Sequence, residues 1–387
     1  MERTDLQTDN EKRPMKKKSI LVISHEFPPL GGGAGRSLQS LCDELYKRGY
    51  SFHLITEKPS GGQSAGYPFP ITFVPCFRRS DFQTSFVSTA IFLVGALRAG
   101  IFKKKASIDF VFSNMAIPAG IAGAIIAAMH RLPHIVWHHG SDVHAGRSFG
   151  APLIQKLMLK AIWKRSFANC FVSDSLLARA RTYGSVPKTH IVPVAPVIKS
   201  CLLTNTAAGR LFLMLGRMEK VKNPLLLIEA CVLLKKRGGM DRKILLVGDG
   251  NLYCLVQNRI AAYGLENAVS LQKNVPHDRV FELLSSAYAL VLPSVIEGLN
   301  ISMLEAALLG VPTIGSDVPG INDFVKHKST GLLFRGNDPE GLAAQMQELD
   351  KDPGMRQTLG KNACEAAKRY TMQATCDKME NLFRGES

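Results

Sequence analysis

Ala289-Leu290-Val291-Leu292-Pro293-Ser294-Val295-Ile296-Glu297-Gly298-Leu299-Asn300-Ile301-Ser302-Met303-Leu304-Glu305-Ala306 reads as a strand, a turn at a proline and a helix. The run from Ala289 to Leu292 is apolar throughout, as in a strand buried on both faces. The helix is apolar at Ile301, Met303, Leu304, Ala306, Ala307, Leu308 and Leu309, so it packs on a core. A strand that feeds a helix in this way is the repeating unit of a parallel α/β sheet. Its helix N-terminus offers free backbone N–H groups and the positive end of a dipole, a seat for a phosphate. Glu297 stands in the loop, and Glu305 lies about two turns inside the helix, on a face that packs. A carboxylate there is costly to bury without partners. With a phosphate on the helix tip and hydroxyls donating to the two carboxylates, the segment meets the needs of a nucleotide-sugar. A pair of glutamates on a solvated helix face is the plainer alternative, and the apolar helix argues against it.

Outward from this unit, short apolar runs alternate with amphipathic stretches along the whole chain, which predicts parallel sheets covered by helices. The first series of strands is Ser19–Ser24, Ser51–Thr56, Ile71–Val74, Asp109–Ser113, His134–His138, Cys170–Ser173 and His190–Val194. A stretch without periodicity, Ala195 to Arg210, reads as a linker. The second series is Leu211–Leu215, Lys243–Val247, Val269–Leu271, Ala289–Leu292, Pro312–Gly315 and Gly331–Phe334. Three helical stretches close the chain. The expectation is an α/β protein of two Rossmann-like domains facing across a cleft. Residues 1–18 form a disordered basic tail, 19–200 one domain and 201–370 the other, with a final helix over 371–387 that can cross back to the first. At 387 residues two cores are natural.

Charge separates the halves. Residues 1–200 hold 26 Lys and Arg against 12 Asp and Glu, whereas residues 201–387 hold 22 against 20. A basic N-terminal half suits an anionic partner such as a phospholipid surface, with a merely solvated basic face as the competitor. Nucleic acid fits poorly, because the cations are not interleaved with aromatics and no recognition motif appears. Phe86 to Phe102 is largely apolar but interrupted by Arg98 and barely long enough to cross a bilayer, so a peripheral helix of an α/β domain is expected. Lys103-Lys104-Lys105 after it leaves room for contact with a membrane surface. Eight cysteines without a C-x-x-C pair fit reduced thiols in a cytoplasmic protein.

Gly216-Arg217-Met218-Glu219-Lys220-Val221-Lys222 follows the first strand of the second series, at the strand end where α/β sheets bind ligands. Arg217 and Lys222 can serve a diphosphate there. Val247-Gly248-Asp249-Gly250 is a tight turn that lets backbone approach a ligand. In combination, G-R-x4-K at 216–222, V-G-x-G at 247–250 and E-G-x6-E-A at 297–306 resemble the glycosyltransferase family 4 group, whose fold is GT-B. The likeness spans residue 19 to about residue 384. It implies a retaining glycosyltransferase that moves a sugar from a nucleotide-diphosphate sugar to an acceptor hydroxyl, with no divalent metal and no other cofactor.

The resemblance carries roles onto matching residues. Arg217 and Lys222 would hold the donor diphosphate, Glu305 the ribose, and Glu297 the donor sugar. The backbones of Gly298, Leu299, Asn300 and Ile301 would hold the sugar hydroxyls or the phosphate, and Gly248 and Val275 would border the nucleotide. The loop His25-Glu26-Phe27-Pro28-Pro29-Leu30-Gly31-Gly32-Gly33 resembles the family's glycine-rich loop, with Gly32 and Gly33 near the donor phosphates. A dinucleotide fingerprint with Glu57 as ribose partner competes, but two prolines separate strand from glycines. His139 matches the histidine that touches the donor sugar, and His25, Asp142 and Ser175 are acceptor-side candidates, with helix capping as the plainer reading for serines there. A metal held by His134, His138, His139 and His144 is the alternative that strand spacing disfavours. Pro193-Val194-Ala195-Pro196-Val197 and Val318-Pro319-Gly320-Ile321-Asn322 depart from the usual pattern. The acceptor is expected to be a lipid-linked or polysaccharide-precursor glycan, at the inner face of a membrane. A sugar-nucleotide epimerase or hydrolase, or a non-catalytic subunit of the same fold, stays open.

Overall fold

The computed structural model describes residues 18–59, 66–75, 86–102, 108–144, 152–196, 209, 211–239 and 242–385. The basic tail (Lys18 apart), Lys103–Lys105 and most of the 195–210 linker lie outside them. Seven strands, β1 (Ser19–Ile23), β2 (Ser51–Glu57), β3 (Ile71–Val74), β4 (Phe110–Asn114), β5 (His134–His138), β6 (Ala168–Phe171) and β7 (Thr189–Ile191), form one parallel sheet. Six more, β8 (Leu211–Leu215), β9 (Lys243–Val247), β10 (Val269–Gln272), β11 (Ala287–Leu292), β12 (Thr313–Ser316) and β13 (Gly331–Phe334), form a second. The orders are β3-β2-β1-β4-β5-β6-β7 and β10-β9-β8-β11-β12-β13. Each therefore reverses direction once, between β1 and β4 and between β8 and β11, and α/β sheets open a ligand crevice at such a switch. Strand β6 runs Ala168–Phe171 where the sequence suggests Cys170–Ser173, because Ser173 caps the next helix by accepting from the Leu176 N–H.

Alternation explains why the strands are apolar on both sides. Ile20 and Val22 join the core beneath helix Gly33–Lys47, while Leu21 and Ile23 join the one beneath helices Phe86–Ile101 and Ile121–His130. In the second sheet Leu213 and Leu215 point one way, and Phe212 and Met214 the other.

The last helix, Met372–Arg384, belongs by sequence to the second domain and packs on the first. Buried Phe383 meets the rings of Tyr50, Phe110 and Phe112 at 5.9, 5.6 and 6.0 Å. Arg48 donates to Asp377 (2.6 Å) and Glu380 (2.8 Å), and Thr375 donates to the Pro193 carbonyl at 3.0 Å. The helix thus ties the domains together, and removing its aromatic anchor leaves a hole against Tyr50, Phe110 and Phe112 of the first. Phe383→Ala is expected to lower unfolding free energy by about 3–5 kcal/mol, measured by urea denaturation.

Candidate donor-sugar site

The loops leaving β8 and β11 are stitched together where the Val295 N–H donates to the Val221 carbonyl at 2.8 Å. That bond brings two groups 75 residues apart into contact: Lys222 Nζ donates to Glu297 Oε1 at 2.5 Å. The same oxygen accepts from Ser294 Oγ at 2.8 Å and Asn300 Nδ2 at 3.2 Å. Burial pushes the Glu297 carboxyl up, but the Lys222 ammonium and these hydrogen bonds outweigh it, so its pKa lies below the usual value. Asn300 does a second job. Its Oδ1 accepts from the Met303 N–H at 3.0 Å and caps helix Ile301–Leu308, whose earlier amides are left for a ligand. Arg217, on the same loop as Lys222, is more exposed and pairs with Glu219 at 3.4 Å.

Glycines let these loops approach. Gly248 has φ +148°, and a Cβ on it would lie 1.9 Å from the Gly216 carbonyl oxygen. Its N–H donates to the Gln272 carbonyl at 3.0 Å, which sets the Gly248 turn beside the loop leading to Val275. Val275 itself is half-buried against the core.

Glu305 is buried within helix Ile301–Leu308. Burial pushes its carboxyl up to about 8, opposed by the Arg36 charge on the first domain. The folded protein thus keeps a proton that the unfolded chain releases near 4.5. The stability this contributes is fully present below that pH and is lost as pH rises through about 8. Glu305→Gln is expected to flatten that part of the stability–pH curve, as read by thermal melts from pH 5 to 9.

The first domain supplies the opposite wall. Gly32 and Gly33 begin helix Gly33–Lys47, and a Cβ on Gly33 would lie 2.9 Å from Ile301 Cδ1, so two helix N-termini meet across the cleft. Gly32 N–H donates to Glu26 Oε2 at 3.4 Å. His139 Nε2 bonds Asn114 Oδ1 at 2.8 Å, and Asn114 Nδ2 donates to Ser24 Oγ at 3.2 Å. With its amide nitrogen so used, Asn114 must accept from His139, leaving Nδ1 of the neutral ring as an acceptor. Burial pushes the His139 pKa down to about 4, which keeps the ring neutral.

Asp142 is buried and accepts from the Ala116, His139 and Gly140 N–H groups at 2.8, 3.2 and 3.0 Å and from His138 Nδ1 at 2.8 Å. Burial works against its charge, yet His138 and these bonds hold it well below the usual carboxylate range. It therefore shapes the His139 loop. Ser175 Oγ donates to Asp323 of the second domain at 2.5 Å. His25 is buried edge-on against Phe92, at 6.1 Å between ring centroids. Three of the four histidines weighed as metal ligands have other partners. His134 pairs with Ser113 at 2.9 Å, His138 with Asp142 and His139 with Asn114.

Three further residues join the site, of which Ser173 reads from the sequence, like Ser175, as an acceptor contact or a helix cap. Asn114 ends β4 at the switch point, and a polar residue closing an apolar strand there was the available signal. Ser173 donates to the Gly298 carbonyl at 2.9 Å across the cleft. Gly320 (φ +86°) lies under Glu297, so that an added Cβ would sit 2.6 Å from its backbone carbon.

Two parallel sheets facing across a cleft, each with one switch point, define the GT-B fold. The description "Glycosyltransferase Family 4" matches residues 31–196, and "Glycosyl transferases group 1" matches residues 205–366. The chain belongs to the family 4 group of glycosyltransferases. It is 26% identical over 372 residues to N-acetyl-alpha-D-glucosaminyl L-malate synthase of Bacillus anthracis, which covers 92% of this chain and 94% of that one. Among solved structures, sucrose-phosphate synthase from Thermosynechococcus elongatus superposes with a TM-score of 0.79 at 21% identity, over 95% of this chain and 99% of that one. HepE from Anabaena, solved with UDP and glucose, gives 0.75 at 16% identity, over 95% and 100%.

Proposed function

We propose that this glycosyltransferase takes its sugar from a nucleoside-diphosphate sugar and keeps the anomeric configuration, without a metal. The observation that carries the reading is the Lys222–Glu297 pair at the β8/β11 switch, opposite the helix N-terminus at Gly33. The diphosphate would lie between the two helix tips, with Arg217 swinging from Glu219 to join Lys222 on it. Glu305 would take the ribose hydroxyls, and Glu297 with His139 Nδ1 the sugar hydroxyls. As the glycosidic bond breaks, negative charge grows on the leaving diphosphate, which Lys222, the helix amides and the repositioned Arg217 would stabilise. The acceptor hydroxyl attacks from that same face, and its proton passes to the departing phosphate oxygen. The related synthase in Bacillus anthracis, named for adding N-acetylglucosamine to malate, supports a hydroxyl acceptor of acidic character. The basic N-terminal half favours a lipid-linked or polysaccharide-precursor glycan at a cytoplasmic membrane face. Among the described residues no helix is long and apolar enough to cross a membrane.

A thermal-shift screen of UDP-, GDP- and ADP-sugars tests this. One donor is expected to stabilise the protein equally with and without EDTA, and Arg217→Ala to weaken the shift and to lower turnover on the order of 10²-fold. A requirement for magnesium or manganese would overturn the metal-free reading. Nucleotide release that depends on added acceptor separates transfer from epimerisation or hydrolysis.

A further inference from the structure

The reversal between β1 and β4, with right-handed crossovers, places helices Phe86–Ile101, Ile121–His130 and Pro152–Arg165 in one layer, away from helix Gly33–Lys47. This layer does not finish in a polar surface. Val87, Val94, Phe102, Met129, Leu153 and Leu157 are each more than half exposed on it. Large apolar side chains exposed in such number on one layer mark a surface that binds a partner. Between β3 and helix Phe86–Ile101 runs an open groove of about 570 Å³, lined by Phe73, Val94 and Gly95 and with Arg98 as its charged residue. The charges on the layer have one sign. None of the three helices contains an Asp or Glu, whereas Arg98, Lys156, Lys160, Lys164 and Arg165 lie on them.

We propose that this three-helix face docks on an anionic lipid bilayer, its apolar side chains entering the interface while its lysines and arginines reach phosphate headgroups. Charge complementarity selects the occupant. Lysine and arginine stems lie along apolar surface with their heads in the headgroup layer, and each cation adds attraction to anionic lipid. The longest of the three helices has 16 residues and an arginine near its end, so the face lies on the membrane and does not span it. The proposal deepens the acceptor reading above and rests on it for the purpose of docking, not for the docking itself.

Flotation of the full chain tests it, using vesicles of phosphatidylglycerol with phosphatidylcholine against phosphatidylcholine alone. The wild type is expected to float with the anionic vesicles and to lose about tenfold in partitioning when salt is raised from 50 mM to 0.5 M. Leu153→Ser/Leu157→Ser and Lys160→Glu/Lys164→Glu should each lower partitioning by about tenfold. Both variants should keep the donor-nucleotide thermal shift, which reports an intact fold and a separate site. No flotation of the wild type, or flotation of both variants at its level, would overturn the proposal. So would a wild-type dimer that either variant disperses, because the face would then bind a second copy of the chain. Loss of the thermal shift in the wild type counts against the donor reading and leaves the flotation result to be read alone.

Discussion

Lys222→Ala is expected to lower kcat by on the order of 10²–10³, with a smaller change in KM for the donor. The asymmetry follows from where the ammonium sits. Lys222 is held by Glu297 before any ligand arrives, so its position costs little at the moment of reaction. Its charge matters most when the leaving diphosphate gains negative charge, and an interaction stronger in the transition state than in the ground state appears in kcat. The substitution also leaves Glu297 buried without its cation, although Ser294 and Asn300 still donate to it. Lys222→Arg keeps the charge but not the geometry, because a planar guanidinium cannot replace a compact ammonium at 2.5 Å from Oε1. It should recover only part of the loss. Single-turnover assays separate the chemical step from binding, and an unchanged single-turnover rate would remove Lys222 from the chemistry.

Gly298→Ala is the second large effect. A Cβ at Gly298 would lie 1.9 Å from the His139 carbonyl oxygen and 3.2 Å from Gly140 Cα. Both are backbone atoms that no rotamer change can move, so the domains must part or the Glu297 loop must shift. Either response misplaces Glu297 relative to His139, and a displacement of about 1 Å from productive geometry can cost 10²-fold in rate. Turnover should therefore fall about 10²-fold while nucleotide binding through Glu305 changes less. Gly66→Ala makes the folding control, since a Cβ there meets nothing within 4 Å. Its melting temperature should match the wild type. A Gly298→Ala enzyme with wild-type turnover would show that the cleft closes elsewhere.

The parts of this architecture legible in the sequence are those set by local pattern. Most strands are short apolar runs closed by Gly, Pro or a polar residue, and the thirteen described strands each overlap an expected run, with β6 displaced by two residues. The Glu297–Glu305 segment is equally local. Burial pattern alone places its helix, and the Asn300 side chain caps the turn it begins. What local pattern does not contain is contact across the sheet order. Nothing within 75 residues of chain tells Lys222 that it will meet Glu297. The Ser173–Gly298 and Ser175–Asp323 bonds join positions 125 and 148 residues apart. Ser175 and Asp142 read as acceptor contacts because they follow strands at the cleft, where exposed polar residues bind ligands. Tertiary closure also has both hold the loops together. Gly320 reads as a departure from the usual pattern, and its place under the Glu297 backbone gives that glycine a local reason.

Isothermal titration of the preferred nucleoside diphosphate into the wild type, Lys222→Ala and Glu305→Gln bears most directly on the donor site. The wild type should bind one equivalent in the presence of EDTA, and both variants should bind at least about tenfold more weakly, through loss of the Lys222 charge on the diphosphate in one and of a buried ribose contact in the other. Wild-type affinity in Lys222→Ala together with Glu305→Gln would contradict the account, because the diphosphate and ribose would then lie outside the junction of the two loops.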